Sequence, residues 1–430
     1  MSNGIEIVTR GRNECQKKLT LKDVLVVAQR AFNDPSVKVV DYTIDDYSQD
    51  KLGFAGCHQS LKIIVQRKTT DDYKEVSFFM KSIPNDCEEL ANYIRQQGVF
   101  DGESSFYEMI IPELMKNYTG GKWSSECYLV KEDVMVLEDL RSKNYQVLGC
   151  FFDTPVVLKA ALTTLAQLHG CSILAETRLN HLSKNSLTLK DRYPDCFRER
   201  VFDRSKKSAK WYNSGVNAVV AVAEHLGYND SQELRGTFEL LYDIVKPSEK
   251  YFNTITHADL WTNNLMFDDT KPIPRCILID YQLFRYAPMV LDILMLLYLN
   301  TTRKFRLSKG KELIQFYHSV LEKTVVENDS TSKKAKCPSL KQILAEYEEL
   351  RLYGPALACL YFPVVLLNSK DAELYTKDSE SYHNFFYVNR TSTTLEHIEK
   401  DPFFKERIEE VVAEMIEISK CCSIHSIHAS

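Results

Sequence analysis

The sequence predicts an α+β fold with two lobes, a small lobe built on an antiparallel sheet and a larger, mainly helical lobe. Two observations support this prediction. Up to about residue 138, runs rich in β-branched and aromatic residues alternate with turn residues, whereas residues 139–430 carry mostly helical patterns. Glycine is also scarce, with 15 residues in 430, which suits a long helical region. We therefore predict two domains, 1–138 and 139–430.

The first part of the small lobe contains one helical pattern and a predicted β-hairpin. The segment "LKDVLVVAQRAF" has the spacing of an amphipathic helix. Residues 60–67 alternate and follow a turn that holds Gly53 and Gly56, so they predict a strand. After the polar turn "TTDDYKE", the segment "VSFFMKSIP" predicts a second strand, which Pro84 ends.

The rest of the small lobe alternates helix and strand. The stretch "PNDCEELANYIRQQGVFDGESSFYEMIIPELM" predicts helix, with a break near Gly98 and Gly102. It is followed by "CYLVKEDVMVLEDL", which predicts two short strands around a Lys-Glu-Asp turn.

The large lobe is predicted to be helical except for one short pair of strands. "NNLMFDD" and "PRCILIDYQ" form this pair around "TKPIP". The predicted helices are "TPVVLKAALTTLAQLHGCSIL", "SQELRGTFELLYDIV", "LKQILAEYEELRLY" and "FFKERIEEVVAEMIEISK".

Composition argues against several classes of partner. The net charge is −5 with both signs mixed along the chain, so no basic surface for nucleic acid is indicated. The N-terminus has no apolar segment typical of a secretory signal, and the longest apolar run, 289–299, is too short to span a bilayer. The 12 cysteines form no C-x-x-C pair, which favours free thiols over zinc ligands. We expect a cytoplasmic protein that binds neither nucleic acid nor membranes.

Three oxygen-bearing side chains carry the strongest chemical signal. Asp259 and Asn264 lie five residues apart in "HADLWTNN", and Asp280 ends the predicted strand "CILID". A tight hairpin brings the start of one strand beside the end of the next, so these side chains can converge. Mg²⁺ prefers few protein oxygens and takes its remaining ligands from phosphate and water. Asn264 and Asp280 are therefore candidate Mg²⁺ ligands, and Asp259 is the candidate base that accepts a proton from an attacking hydroxyl.

This pattern resembles a known superfamily. "HADLWTNN" followed by "LIDYQ" is similar to the catalytic and metal-binding segments of the aminoglycoside phosphotransferase and protein-kinase-like superfamily. The longer form H-x-D-L-W-x-N-N resembles, more narrowly, the ecdysteroid kinase-like (CHK kinase-like) family. The resemblance implies a two-lobed protein-kinase-like fold that binds ATP between its lobes. It also implies transfer of phosphate to a small hydroxylated molecule.

The same resemblance implies residues that bind the phosphates of ATP. "LGFAGCH" supplies Gly53 and Gly56 for a turn over the phosphates, and "FFMKSIP" offers Lys81 for the α- and β-phosphates. "VFDGESSFYEMIIPEL" resembles the helix whose glutamate pairs with that lysine. It points to Glu103, with Glu108 as the competing choice.

"VMVLEDL" resembles the segment that holds adenine in such kinases. In that reading the backbone of Glu138, Asp139 and Leu140 bonds the base, and Met135 and Leu137 make apolar contacts.

The remaining residues of the motif have scaffold roles in this reading. His257 is expected to bond backbone near Asp280, and Asp292 to anchor the backbone of the catalytic loop. Asn263 and Trp261 are expected to bond and pack within the loop. Relatives commonly carry glycine where this chain has Ala258, which matters if the backbone there needs a positive φ.

Three functions fit the sequence. The first is an ATP- and Mg²⁺-dependent kinase of an ecdysteroid or similar steroid alcohol. The second is the same chemistry on xenobiotic or plant-derived hydroxyl compounds, and the third is a nucleotide-binding regulator without catalysis. Aromatic residues of the large lobe suit either an apolar acceptor or a helical core: Tyr353, Tyr361, Phe362, Tyr382, Phe385, Phe386 and Tyr387.

Overall fold

A computed structural model describes residues 18–47, 56–66, 73–84, 88–149, 151–182, 187–229, 231–331 and 334–428. Its strands are β1 (Lys38–Asp46), β2 (Cys57–Gln66), β3 (Tyr73–Ser82), β4 (Cys127–Lys131), β5 (Val134–Glu138), β6 (Gln146–Val147), β7 (Asn253–Thr256), β8 (Leu265–Asp268), β9 (Arg275–Leu278) and β10 (Arg285–Pro288). Its first nine α-helices are α1 (Leu21–Phe32), α2 (Glu88–Gln97), α3 (Val99–Ser105), α4 (Ile111–Met115), α5 (Pro155–Leu182), α6 (Leu189–Arg192), α7 (Ser208–His225), α8 (Glu233–Glu239) and α9 (Leu241–Ile244). The others are α10 (Val290–Asn300), α11 (Arg303–Asn328), α12 (Leu340–Glu349), α13 (Tyr353–Val365), α14 (Ser369–Thr376), α15 (Ser379–His383), α16 (Thr391–Lys400) and α17 (Pro402–His428).

The chain divides into two compact units. The smaller unit contains residues 1–96 and 124–146, and the larger contains 97–123 and 147–430. These bounds differ from the predicted division at residue 138, because the segment 97–123 groups with the helices that follow it in sequence. A boundary at the end of β5 is thus not where the compact units divide.

The smaller unit is a five-stranded antiparallel sheet in the order β1-β2-β3-β5-β4. The predicted hairpin is β2 paired with β3, and the two later strands are β4 and β5. Helix α1 begins at a capping box formed by Thr20 and Asp23, which satisfies free N–H groups of its first turn. The helix places Val24, Val27 and Ala28 on the apolar core of this sheet.

The larger unit is mainly helical, as predicted. Helices α5 and α11 pack along each other, and α10 packs on α13. Every residue of α10 is buried, so the apolar run noted in the sequence is a core helix. The predicted strand pair is β8 with β9, and a second pair, β7 with β10, was not predicted. The sheet in the smaller unit and the helices in the larger one confirm the α+β fold class.

The structure also describes one long apolar helix and the state of the cysteines. Among the described residues, the helix 155–181 is long and apolar enough to cross a membrane, but 72% of its most apolar stretch is buried, as in a core helix. The cysteines whose side chains are described are all free thiols, four of them buried: Cys57, Cys127, Cys171, Cys196, Cys276, Cys337 and Cys359.

Close packing of α13 on α10 gives a prediction for stability. A Cβ atom added at Gly354 would lie 2.3 Å from the ring of Tyr298, so Gly354→Ala should push that ring out of place. We expect the free energy of unfolding in urea to fall by about 1–3 kcal/mol. The control is Gly310→Ala in α11, where nothing lies within 4 Å of an added Cβ. That variant should be as stable as wild type or more stable, because alanine favours helix. Equal stability of the two variants would contradict this packing.

Candidate active site

The β8–β9 pair brings Asn264 beside the segment that carries Asp280. Leu265 lies opposite Leu278, and the backbone N–H of Ile279 donates to the carbonyl of Asn264 at 3.1 Å. Strand β9 ends at Leu278, so Asp280 lies two residues past the strand and not at its end as expected. It begins a 3-10 turn there and is half-buried. The hairpin predicted from the sequence is therefore what brings these residues together.

Asp259 and Asn264 contact each other directly. The amide nitrogen of Asn264 donates to the Asp259 carboxylate Oδ2 at 2.9 Å and to the Asp259 carbonyl at 2.8 Å. Both residues are buried, with 5% and 4% of their surface exposed. Because the amide nitrogen is used by Asp259, the amide oxygen of Asn264 is the atom left to ligate a cation.

The surroundings of Asp259 suit a base. Its Oδ1 accepts a hydrogen bond from the phenol of Tyr361 at 3.1 Å, and Gln282 is a further side-chain donor. Burial and the nearby negative charge of Asp280 raise the pKa of Asp259 to about 7, although the three donors oppose the shift. A carboxylate with a pKa near neutrality can accept a proton and later release it.

The backbone before Asp259 is held by Asp292 at the start of α10. The Asp292 carboxylate accepts the N–H groups of His257 at 2.6 Å and of Ala258 at 2.9 Å. His169 of α5 lies 3.2 Å from the same carboxylate and 2.6 Å from the phenol of Tyr317. The predicted role of Asp292, anchoring the backbone of the catalytic loop, is confirmed.

His257 joins the catalytic loop to the strand that leads to Asp280. Its Nε2 lies 2.9 Å from the carbonyl of Ile279, and its Nδ1 accepts the N–H of Asp259 at 3.3 Å. One ring nitrogen therefore donates and the other accepts, which is the pattern of a neutral imidazole. Burial lowers the pKa of His257, in agreement with that form. The sequence prediction of a structural histidine bonded near Asp280 is confirmed.

Two residues of the site adopt a left-handed backbone conformation. Ala258 has φ of 62° and Asp280 has φ of 64°. The positive φ at Ala258 is a conformation that glycine adopts more readily than alanine. Alanine is strained there by about 1–2 kcal/mol, and the two hydrogen bonds to Asp292 hold the loop in place regardless.

The donor set around Asn264 and Asp280 fits a hard cation only with help from other ligands. Among the described residues, no group of three or more His, Cys, Asp or Glu side chains is arranged to hold a metal. One amide oxygen and one carboxylate are the sparse protein ligands with which Mg²⁺ binds nucleotide phosphates.

The smaller unit places Gly56 beside Lys81. Lys81 is 5% exposed on β3, opposite His58 of β2 and Met135 of β5. Gly56 has φ of 147°, and a Cβ there would lie 3.6 Å from Cε of Lys81. Gly56 and Lys81 are thus neighbours. Gly53 lies outside the described residues.

The two candidate glutamates of the larger unit differ in burial. Glu103 on α3 is 1% exposed, whereas Glu108 lies in a π-helical turn and is exposed. Only Glu103 has the burial expected of a glutamate that pairs with a buried cation.

Glu138 is the last residue of β5, Asp139 and Leu140 follow it, and all three are buried. The carboxylate of Asp139 accepts the phenol of Tyr47 at 2.9 Å and the hydroxyl of Ser77 at 2.7 Å. That of Glu138 accepts the N–H of Glu126 at 3.1 Å. Several backbone groups bond within the unit as well: the N–H of Glu138 donates to the carbonyl of Glu126 at 2.8 Å, and the carbonyl of Leu140 accepts the N–H of Tyr145 at 3.1 Å. The contact of this backbone with a base stays a prediction.

Sequence reasoning missed Tyr361 and Gln282 as neighbours of Asp259. Tyr361 lies 102 residues after Asp259, and only its place among several aromatic residues of the large lobe signalled it.

Asn263 is exposed and Trp261 is half-buried at the start of the 3-10 turn.

The fold and the site define a kinase-like phosphotransferase. The chain belongs to the ecdysteroid kinase-like family, whose model matches residues 54–328. This membership confirms the predicted family and the predicted class of enzyme, a small-molecule kinase. No curated protein matches the chain.

Solved structures of small-molecule kinases overlap loosely with the chain. An ethanolamine kinase of Plasmodium vivax is 13% identical with a TM-score of 0.41, covering 92% of this chain and 91% of its own. A microcompartment-associated aminopropanol kinase is 11% identical with a TM-score of 0.38, covering 90% and 99%. Amicoumacin kinase is 11% identical with a TM-score of 0.41, covering 93% and 96%. The family match, and not these overlaps, carries the assignment.

The strain at Ala258 gives a prediction. Ala258→Gly relieves the left-handed alanine, so the free energy of unfolding should stay equal to wild type or rise by up to about 1 kcal/mol. In the control Ala372→Gly, at a helical position in α14, it should fall by about 0.5–1 kcal/mol. Urea denaturation of both variants is the measurement, and equal losses in the two would contradict strain at Ala258.

The carboxylate of Asp292, which anchors the loop, gives a second prediction for stability. Asp292→Asn replaces one accepting oxygen by an N–H₂ group that faces a backbone N–H, so a buried donor loses its partner. We expect the free energy of unfolding to fall by about 2–4 kcal/mol. Asp243→Asn, at an exposed ion pair, is the control and should unfold like wild type. Urea denaturation measures both, and a wild-type curve for Asp292→Asn would rule out the anchor.

Proposed function

We propose that this protein transfers the γ-phosphoryl group of ATP to a hydroxyl group of an ecdysteroid or similar steroid alcohol. The observation that carries the proposal is the grouping of a buried base, Asp259, with an amide and a carboxylate, Asn264 and Asp280, around one strand pair. A base beside a cation site is what phosphoryl transfer to an alcohol requires.

In the proposed reaction Asp259 orients the acceptor hydroxyl and takes its proton. The hydroxyl oxygen forms a bond to the γ-phosphorus while the bond from that phosphorus to the bridging oxygen of ADP breaks. The proton passes to the Asp259 carboxylate and then to solvent. The pKa of about 7 allows both transfers near neutral pH.

Asn264 and Asp280 are the proposed Mg²⁺ ligands. A Mg²⁺ ion held there would neutralise charge on the phosphates of ATP. Asn264 would serve both partners, because its amide nitrogen orients Asp259 while its amide oxygen is left for the cation. The chain thus fixes the distance from base to cation site through one side chain.

Lys81 and Gly56 are the proposed phosphate-binding residues. A buried lysine beside a glycine with positive φ supports this role, because that backbone conformation favours glycine and lets the turn approach the lysine closely. Gly53 remains a predicted part of the same turn, Glu103 the predicted partner of Lys81, and the backbone at 138–140 the predicted adenine contact.

The acceptor is proposed from the family, since ecdysteroids are the compounds in its name. A kinase of xenobiotic or plant-derived hydroxyl compounds is the second candidate, favoured by the aromatic residues beside Asp259. A regulator without catalysis is disfavoured because Asp259, Asn264 and Asp280 are all present. We propose the cytoplasm as the compartment, where ATP is abundant and the free thiols stay reduced.

Substitution of the base and of the cation ligand tests the proposal. Wild-type protein is incubated with ATP, Mg²⁺ and a panel of ecdysteroids and other alcohols, and the products are examined by mass spectrometry for the gain of one phosphate. Asp259→Asn should lower kcat by about a thousandfold or more while the affinity for Mg·ATP stays close to wild type. Asp280→Asn should instead raise the KM for Mg·ATP.

The exposed neighbour Asp269 provides the matched control, and Asp269→Asn should behave as wild type. If wild-type protein binds nucleotide but phosphorylates no acceptor, the enzymatic proposal is wrong. Full activity of Asp259→Asn would instead disprove its role as the base.

A further inference from the structure

Tyr361 of α13 keeps some exposed surface although the residues on either side of it are buried. Residues 353–364 of α13 are buried with the single exception of Tyr361, which is half-buried. Its phenol still reaches the buried carboxylate of Asp259 at 3.1 Å. Tyr361 therefore contacts the proposed base through its phenol and keeps accessible surface that an acceptor molecule can approach.

The two oxygens of Asp259 face different partners. Oδ2 accepts from Asn264, the proposed cation ligand, and Oδ1 accepts from Tyr361. A carboxylate oxygen can accept a second hydrogen bond, so an acceptor hydroxyl that donates to Oδ1 would lie next to the phenol of Tyr361. Gln282 is a further donor to the same carboxylate.

Trp211 of α7 extends the aromatic surface away from Asp259. Its ring centroid is 6.1 Å from that of Tyr361, at an interplanar angle of 83°, an edge-to-face contact. Trp211 is half-buried as well, whereas its neighbour Tyr212 is 1% exposed. Two adjoining rings with accessible surface thus lead to the base.

Arg390 holds both rings in place. It is fully buried, and its guanidinium carbon lies 4.9 Å from the centroid of the Trp211 ring. It donates to the carbonyl of Leu360 at 3.1 Å and to that of Trp211 at 3.4 Å. One buried cation therefore ties the backbone next to Tyr361 to the backbone of Trp211.

We propose that Tyr361 and Trp211 form the wall that positions the acceptor, an inference that rests on the proposed kinase function. The Trp211 ring packs on an apolar part of the acceptor, and the Tyr361 phenol fixes Oδ1 of Asp259 toward the acceptor hydroxyl. The acceptor class is an alcohol with an apolar ring or chain beside its hydroxyl group. Arg390 is a positioning residue that acts through these two rings.

Steady-state kinetics separate the two roles, with ecdysone and the best alcohol of the panel as acceptors. Trp211→Ala should raise the acceptor KM about tenfold or more and leave the KM for ATP within about twofold. Trp211→Phe restores a ring and should recover most of the loss. Tyr361→Phe keeps the ring but loses the bond to Oδ1, so kcat should fall about tenfold while the acceptor KM changes little.

Tyr212→Phe is the matched control, because it removes a phenol from the same helix as Trp211, one that bonds the carbonyl of Phe238 at 2.6 Å. It should leave kcat and both KM values unchanged. An unchanged acceptor KM in Trp211→Ala, or an unchanged kcat in Tyr361→Phe, would overturn this inference. If wild-type protein still transfers phosphate in that experiment, the proposed kinase function stands. Absence of transfer by wild-type protein overturns both.

Discussion

The carboxylate of Asp292 is the constraint on which the site depends. It accepts two consecutive backbone N–H groups, those of His257 and Ala258, immediately before the proposed base. Every residue of α10 is buried, so the anchor belongs to the packed core of the larger unit. Removal of a buried carboxylate leaves its donors without partners. The catalytic loop therefore takes its position from the helical core.

From this anchor a series of hydrogen bonds reaches the proposed cation site. His257 bonds the carbonyl of Ile279, and Ile279 donates its own N–H to the carbonyl of Asn264. Asn264 in turn bonds both the backbone and the side chain of Asp259. Loop and hairpin are thereby held against each other by hydrogen bonds that include the carboxylate of Asp259 itself.

The sequence predicted the parts of the site that lie close together along the chain. Asp259, Asn264 and Asp280 fall within 22 residues, and a hairpin is a local structure, so their convergence follows from turn spacing and strand pattern. Tyr361 reaches Asp259, and Trp211 reaches Tyr361, through the packing of α7 and α13, which no local pattern encodes. The segment 97–123 groups with the larger unit, and its helical pattern gives no sign of which unit buries its apolar side.

Ala258 shows how the site and its stability are related. A left-handed alanine costs about 1–2 kcal/mol, and glycine at that position would remove most of the cost. Glycine would also give the unfolded chain more freedom, which offsets about 0.4–1 kcal/mol of the gain. The two terms nearly cancel, so alanine is tolerated wherever the neighbouring bonds enforce the conformation. Asp292 supplies those bonds. The departure of this chain at Ala258 therefore leaves the proposed base in position, because α10 fixes the loop independently of which small residue precedes Asp259.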